Sequence, residues 1–240
     1  MYLQYVLLLV ILAGAMIGSV AAKKLTVAAA LTGGVLGVLV FAGAGFTGIV
    51  MVAIFFLVGT MATSWKKGYK ERAGLSEINS SKRNAGQVMA NACAAGICGL
   101  LCYFLQQYVP VLRIMMAASL SSAMADTLSS ELGNVYGKRF YNILTLQKDT
   151  RGLNGVVSLE GTAIGIVGSV VIALVYAFGL GFSWSIFLII IISGTIGNLS
   201  DSVLGASLER KCYLNNDAVN FFNTAIAALT ALVLYFIVTS

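Results

Sequence analysis

The stretch WSIFLIIIISGTIGNLSDSVLG, residues 184–205, decides the class of fold. It can cross a bilayer as one helix, because the hydrocarbon core is about 30 Å thick and a helix rises about 1.5 Å per residue. Seven further stretches share this length and character, namely 2–21, 25–42, 45–63, 88–106, 111–129, 157–179 and 218–238. The sequence therefore predicts an all-α protein, a polytopic transmembrane helix bundle of about seven to eight spans.

The composition excludes a soluble protein. The 240 residues are 59% hydrophobic and only 10% charged, which leaves too little polar surface to cover a water-soluble domain of this length. We expect a single transmembrane domain over residues 1–240, with the lipid bilayer as its first partner. The span at 25–42 is the least regular, since Gly33, Gly34 and Gly37 would also suit a re-entrant or interfacial segment.

The basic residues indicate how the helices are oriented. Two long connections, near 64–87 and 131–156, hold most of the charge. If eight spans start from an external N-terminus, fourteen of the fifteen Lys and Arg residues face one side and only Arg113 faces the other. This asymmetry follows the positive-inside rule and predicts a protein of the cell (inner) membrane whose active site faces the cytoplasm. The net charge of +6 then reflects topology and anionic lipid, so no nucleic-acid partner is expected.

Two acids lie within apolar spans, where a charge is costly and usually functional. Asp126 and Asp201 stand near the ends of two spans that run in the same direction, in the related triplets Asp-Thr-Leu and Asp-Ser-Val. Glu131 lies about 140° around the helix from Asp126, so both could bind one ion only if the helix ended between them, near Ser129 and Ser130. Carboxylates in a chain without histidine favour Mg²⁺. We predict these three acids as metal ligands and catalytic residues.

Polar residues recur at helical spacing beside these acids. Serines, asparagines and glycines at offsets of three and four give each of four helices one polar face. Such residues often only bond neighbouring helices together, and glycine allows their close approach. For Lys66, Lys67 and Lys70 we expect contact with lipid headgroups. For the aspartates we favour function, since charge at one depth on several helices is hard to explain by packing alone.

Five short motifs follow one another in a fixed order. They are Lys82-Arg83-Asn84-Ala85-Gly86-Gln87 with Asn91, Ala125-Asp126-Thr127-Leu128-Ser129-Ser130-Glu131-Leu132-Gly133, Asn154-Gly155-Val156-Val157-Ser158-Leu159-Glu160-Gly161-Thr162, Asp201-Ser202-Val203-Leu204-Gly205-Ala206 and Asn216-Asp217-Ala218-Val219-Asn220. Their order and spacing resemble the phytyl-phosphate (prenyl-phosphate) kinase family of membrane proteins, over about 55–230. The second and third motifs are also distantly similar to dolichol kinase and phosphatidate cytidylyltransferase. Family members often carry Gly-Gly after the loop asparagine, where this chain has Gly155-Val156.

The resemblance implies a membrane kinase that uses Mg²⁺, a nucleoside triphosphate (CTP above all) and a prenyl monophosphate such as phytyl phosphate. With the basic residues of the loops, it predicts a set of substrate-binding residues: Lys82, Arg83, Asn84, Gln87, Asn91, Lys148, Arg151, Asn154, Ser158, Asn216 and Asn220. A phosphomonoester has a second pKa of about 6, so the attacking oxygen is already ionised and no general base is needed.

Two other functions stay open at this stage. A cytidylyltransferase that attaches CMP to a lipid phosphate would need the same parts, and would release pyrophosphate rather than CDP. A transporter of an anionic or cation-coupled solute would use Asp126 and Asp201 as an intramembrane site, although both acids lie near one face rather than at the midplane. The sequence does not decide between a monomer and a homo-oligomer.

Overall fold

The computed structural model describes residues 2–75 and 82–239, so residues 76–81 of the predicted 64–87 connection lie outside the described residues. The described residues form eight α-helices and a two-stranded sheet. The elements are α1 Tyr2–Ala21, α2 Val27–Ser64, α3 Lys67–Arg72, α4 Ala85–Phe104, α5 Val109–Tyr136, β1 Tyr141–Asn142, β2 Val156–Val157, α6 Leu159–Leu180, α7 Trp184–Leu204 and α8 Asn216–Thr239. Seven of these described helices, all but α3, are long and apolar enough to cross a membrane. The predicted all-α transmembrane bundle is confirmed.

Helix α2 reverses direction at Gly45 and so supplies two of the predicted spans. Gly45 has φ 58° and ψ −147°, a conformation that is essentially restricted to glycine. A Cβ on Gly48 would lie 3.0 Å from the carbonyl oxygen of Val40, whereas a straight helix separates such residues by about 12 Å. At the other end, Lys24 Nζ donates to Ser64 Oγ over 3.1 Å, so the two ends of α2 meet. The arms before and after the turn account for the second and third predicted spans.

Helix α5 is the centre of the bundle. It packs against α2, α4, α6, α7 and α8, and these five helices contact one another in a closed ring around it. This position explains why α5 is the least apolar of the seven candidate spans. The outer helices have lipid-facing sides, whereas α5 is surrounded by protein and can carry small polar side chains such as Ser119, Ser121 and Ser122.

Helix α5 also runs further than the sequence predicted. The fifth predicted span ends at Ser129, but the helix continues to Tyr136. The hydroxyls of Ser129 and Ser130 donate to the carbonyl of Asp126 over 3.1 and 2.9 Å, so they bond within the helix instead of ending it. The expected helix end between Asp126 and Glu131 is therefore wrong, and these two side chains leave the helix in directions about 140° apart.

The connection from α5 to α6, residues 137–158, folds back as a small hairpin in which β1 pairs antiparallel with β2. Gly152 and Gly155 have φ of 85° and 73°, in the left-handed region that favours glycine. A side chain on Gly155 would also collide with Ser202 and Ala206 at the end of α7. Close packing on α7 therefore accounts for glycine at position 155.

Candidate functional site

A cavity of about 430 Å³ lies at the end of the bundle where α4, α6 and α8 begin and where α2, α5 and α7 end. We name it the charged cavity. Its wall brings together eleven of the predicted site residues: Lys82, Arg83, Gln87, Asn91, Asp126, Glu131, Asn154, Ser158, Asp201, Asn216 and Asn220. These residues come from distant parts of the chain, so their convergence supports the sequence-based choice of a site.

Three predicted site residues, Asn84, Lys148 and Arg151, lie outside this wall. The side chain of Asn84 accepts from the Gln87 N–H over 2.9 Å, and the Gln87 side chain accepts from the Asn84 N–H over 3.0 Å. This reciprocal cap starts α4. Arg151 donates to the hydroxyl of Tyr69 over 3.0 Å, and Lys148 is exposed on the hairpin. The side chains of Asn84 and Arg151 therefore make contacts within the fold and do not line the cavity.

The helix ends give the cavity wall two kinds of electrostatic environment. The N-terminal ends of α4, α6 and α8 contribute to the wall through Gln87, the N-cap residue Ser158 and Asn216. Unpaired N–H groups and the helix dipole make such N-termini attractive to anions, phosphate included. The C-terminal parts of α5 and α7 contribute the acids to the same wall. One cavity therefore offers environments for both an anion and a cation.

The two intramembrane acids are held differently. Asp201 Oδ2 accepts from Asn223 Nδ2 over 2.7 Å, and Ser122 Oγ donates to Asn223 Oδ1 over 3.0 Å. Because Asn223 is fully buried, it fixes the orientation of Asp201. The Asp126 carboxylate makes no hydrogen bond or ion pair with any residue in the described part of the chain. Asp201 and Glu209 are the main like charges near it, and like charges close together favour a bound cation.

Lys70 is a cavity residue that the sequence interpretation missed. Its side chain is 4% exposed, and its ammonium donates to the Ala62 carbonyl over 3.2 Å, the Thr63 carbonyl over 2.8 Å and Glu131 Oε2 over 2.5 Å. The expected contact with lipid headgroups is therefore wrong for Lys70. Its three protons hold α3 on the end of α2 and give Glu131 a counter-charge. No local pattern could have paired the two residues, since they are 61 positions apart.

Arg83 is fixed by its backbone and its side chain. Its N–H donates to the Lys24 carbonyl over 2.9 Å, and its carbonyl accepts from Thr26 over 3.1 Å. Its guanidinium lies 5.7 Å from the ring centroid of Phe55. Burial lowers the pKa of the Arg83 guanidinium, and the carboxylate of Glu131 partly offsets this effect. Arg83 still carries its charge at neutral pH and is placed to bind a phosphate oxygen.

Arg210 anchors the hairpin beside the cavity. Its Nε donates to the Asn154 carbonyl over 2.6 Å, and its Nη2 donates to Asp149 Oδ2 over 2.8 Å. Hydrogen bonds from the Thr150 N–H, Asn142 and Arg210 hold the pKa of the Asp149 carboxyl below its usual value. The side-chain amide of Asn154 makes no hydrogen bond with a described residue and stays available in the cavity wall. The sequence suggested Asn154 but not the arginine that holds it.

The carboxylates fit Mg²⁺ as a pair and not as a triad. Within residues 2–75 and 82–239, no three acid, thiol or imidazole groups cluster closely enough to hold a metal ion. Mg²⁺ typically takes one or two protein carboxylates and completes its coordination with water and substrate phosphates. Asp126 and Asp201 could supply such a pair of hard oxygen ligands, whereas Glu131 is engaged by Lys70. The donor set therefore suits a magnesium ion that binds together with a phosphate.

A ring of apolar helices around a buried central helix, with a charged cavity at one end, defines a multi-pass integral membrane protein. The chain belongs to the family described as Integral membrane protein DUF92, which matches residues 9–228.

Named relatives cover most of the chain. It is 31% identical over 205 residues to the chloroplastic protein VTE6 of Arabidopsis thaliana, which covers 83% of this chain and 62% of that protein. It is 35% identical over 201 residues to an uncharacterized membrane protein of Synechocystis sp., over 82% of this chain and 78% of the relative. An uncharacterized membrane protein of Methanocaldococcus jannaschii is 28% identical over 201 residues, or 84% and 82% of the two chains. No solved structure matches the chain.

Proposed function

We propose that this protein is a kinase that transfers a phosphoryl group from a nucleoside triphosphate, CTP above all, to a prenyl monophosphate such as phytyl phosphate. The observation that carries the proposal is one cavity in which the unpaired carboxylate of Asp126, the oriented carboxylate of Asp201 and the cation of Arg83 meet three helix N-termini. The order of the five sequence motifs and the membership of the family support the same assignment.

This arrangement suits a reaction between two anions. Phosphoryl transfer depends mainly on positioning and on neutralising charge. Lys82 and Arg83, with the N-termini of α4, α6 and α8, would hold the phosphates of donor and acceptor. The acceptor oxygen attacks the terminal phosphorus, the bond to the bridging oxygen breaks, and the nucleoside diphosphate leaves. Because the acceptor is already ionised at neutral pH, this chemistry is compatible with a chain that has no histidine.

Asp126 and Asp201 would hold Mg²⁺ in this reaction. The ion would neutralise charge on the reacting phosphates. Asn223 and Ser122 keep Asp201 in its orientation, since both amide atoms of Asn223 are engaged. Lys70 keeps Glu131 neutralised, so that the cavity does not hold three uncompensated acids.

The test uses two radiolabels. Purified protein, Mg²⁺ and a panel of prenyl phosphates are incubated with CTP labelled at either the γ or the α phosphorus. We expect the γ label, and not the α label, to enter the lipid, with release of CDP. Entry of the α label with release of pyrophosphate would identify a cytidylyltransferase. Absence of both labels from the lipid, across other nucleoside triphosphates as well, would contradict both transfer reactions and leave the transporter.

We also propose that the charged cavity faces the cytoplasm of the cell membrane. With eight crossings and an external N-terminus, fourteen of the fifteen Lys and Arg residues would lie at that end, as the positive-inside rule requires. In a chain without native cysteines, Thr145→Cys should resist an impermeant thiol reagent in intact cells and react after permeabilisation. Gln107→Cys, in the turn at the opposite end, is the matched control and should react in intact cells. Labelling of Thr145→Cys from outside would reverse the orientation.

A further inference from the structure

One part of the charged cavity has an apolar wall. It is formed by Leu75, Phe140, Leu153, Val156 and Val157. Phe140 is the only aromatic residue in the cavity wall, as far as the structure describes the chain. All five residues lie in the connections beyond the helix ends, whereas the paired aspartates lie within α5 and α7. The cavity therefore has an apolar part under the hairpin, besides the acids of α5 and α7 and the basic residues of other connections.

The ring of Phe140 is supported from outside the cavity. The guanidinium of Arg151 lies 5.9 Å from the centroid of this ring and 5.7 Å from that of Tyr69. Arg151 also donates to the Tyr69 hydroxyl over 3.0 Å. Phe140 lines the cavity, whereas Arg151 does not. A cation–π contact of this kind holds the ring in place.

The second side of the apolar part comes from the end of α3. A Cβ on Gly152 would lie 2.6 Å from Leu75 Cδ2, so Leu75 packs directly on the hairpin backbone. Lys70 in turn ties α3 to α5 through Glu131. The apolar walls are thus built by two separate connections that are bonded to each other and to the bundle, not by a single loop.

We propose that this apolar part, with Phe140 as its stacking ring, is the subsite for the nucleobase of the donor nucleotide. The inference rests on the proposed kinase function and names the part of the donor that this wall would bind. A nucleotide has a flat base at one end and a triphosphate at the other, and this cavity offers both an apolar part under the hairpin and charged groups such as Arg83. Bases stack on aromatic rings whatever their identity.

The prenyl chain is the other apolar group in the reaction, and the position of the wall argues against it. An isoprenoid tail has to reach the hydrocarbon layer, which surrounds the spanning helices. Phe140 and Leu153 lie on the hairpin, beyond the ends of those helices. The amides of Asn134 and Asn154 lie in the same cavity wall, and neither is hydrogen-bonded to a described residue. They offer both donors and acceptors to the edge of a base.

The test compares a nucleotide with its base-free equivalent. Binding of CTP and of inorganic tripolyphosphate to the purified full chain is measured for wild type and for Phe140→Ala. Loss of stacking should weaken CTP binding by about 5-fold to 150-fold, while tripolyphosphate binding is unchanged. Phe140→Tyr should bind CTP like wild type. Leu144→Ala, an exposed leucine of the hairpin outside the cavity wall, is the matched control and should change neither affinity.

Each other outcome overturns a distinct claim. Equal loss of CTP and tripolyphosphate binding in Phe140→Ala would mean a general disturbance of the cavity, and no loss would mean that the ring is not used. A raised KM for the prenyl phosphate, with CTP binding intact, would assign the ring to the acceptor. Wild type that binds tripolyphosphate no more weakly than CTP would refute the base subsite alone. Wild type that binds neither would refute the proposed function and the subsite with it.

Discussion

The clearest contrast in the molecule is between two acids that look alike in sequence. Asp126 and Asp201 begin similar triplets, near the same end of two helices that run in the same direction. The Asp201 carboxylate is held by Asn223, whereas the Asp126 carboxylate has no hydrogen-bond or ion-pair partner within the described ranges. The helices also continue differently: α5 runs on regularly to Tyr136, while α7 passes into a π-helical turn after Leu204.

This difference indicates that the two aspartates have different roles in binding a cation. A carboxylate with an oriented amide beside it can keep one geometry before a ligand arrives. A carboxylate surrounded by other acids is destabilising until a cation arrives, and such destabilised groups are typical of functional sites. We therefore expect the Asp126 carboxylate to be stabilised mainly by a bound cation. We expect Asp201 to set the geometry of the two carboxylates.

The largest effect is expected from Asp126→Asn. Removal of this charge should lower phosphoryl transfer by about 10²-fold to 10³-fold, because the metal loses a ligand where negative charge must be neutralised. The thermal stability of the unliganded protein should not fall, since the repulsion between Asp126 and Asp201 is relieved. Turnover with γ-labelled donor and a thermal melt are the measurements. Glu71→Gln, an exposed acid of α3, is the control for charge alone. Full turnover in Asp126→Asn would show that Asp126 is not a metal ligand in the reaction.

A second test applies the same contrast to two asparagines of the hairpin. Asn154 has a free amide in the cavity wall, whereas Asn142 accepts from the N–H groups of Leu144 and Thr145 over 3.0 and 3.3 Å. Asn154→Ala should melt like wild type and lose about 10²-fold in turnover, because it no longer aligns a phosphate or base. Asn142→Ala should mainly lower the melting temperature. The reverse pattern would show that Asn154 serves packing.

A smaller effect is expected from Asn223→Ala. Asp201 would keep its charge but lose the hydrogen bond that orients it, and loss of such support typically weakens metal affinity or activity by about 10-fold to 100-fold. The dependence of turnover on Mg²⁺ concentration is the measurement. Ser122 contacts Asp201 only through Asn223, so Ser122→Ala should raise the Mg²⁺ concentration needed for turnover by a smaller factor. A lowered melting temperature at an unchanged Mg²⁺ requirement would mean that Asn223 only packs helices.

The smallest effect on turnover is expected at Glu131, the third acid, because the Lys70 ammonium already neutralises it. Glu131→Gln alone should destabilise the fold by about 3 kcal/mol, because the Lys70 ammonium stays buried without its partner. The double variant Lys70→Met with Glu131→Gln should recover most of that stability and keep measurable turnover. Thermal melts and turnover of the single and double variants form the cycle. A stable double variant without turnover would restore Glu131 as a metal ligand, as the sequence predicted.

The site could be predicted from the sequence only as a set of residues. Helical spacing and motif order selected eleven residues that the fold brings into one wall. They could not show that Lys70 neutralises Glu131, because the two lie on different helices and no local period relates them. They also could not show that α5 stays helical past Ser130, since its two serines suit a helix end as well as a helix interior.

The sequence by itself determined the class of protein, the approximate number and position of the spans, and the segregation of charge toward one end. These properties follow from local hydrophobic length, which the bilayer thickness fixes regardless of how the helices pack. Only the tertiary structure decided that α5 is central, that α2 turns back at Gly45 to bring its ends together, and which of the three acids has a counter-charge. Such pairings depend on which helix faces come into contact, and contact across tens of residues is a property of packing rather than of any local pattern.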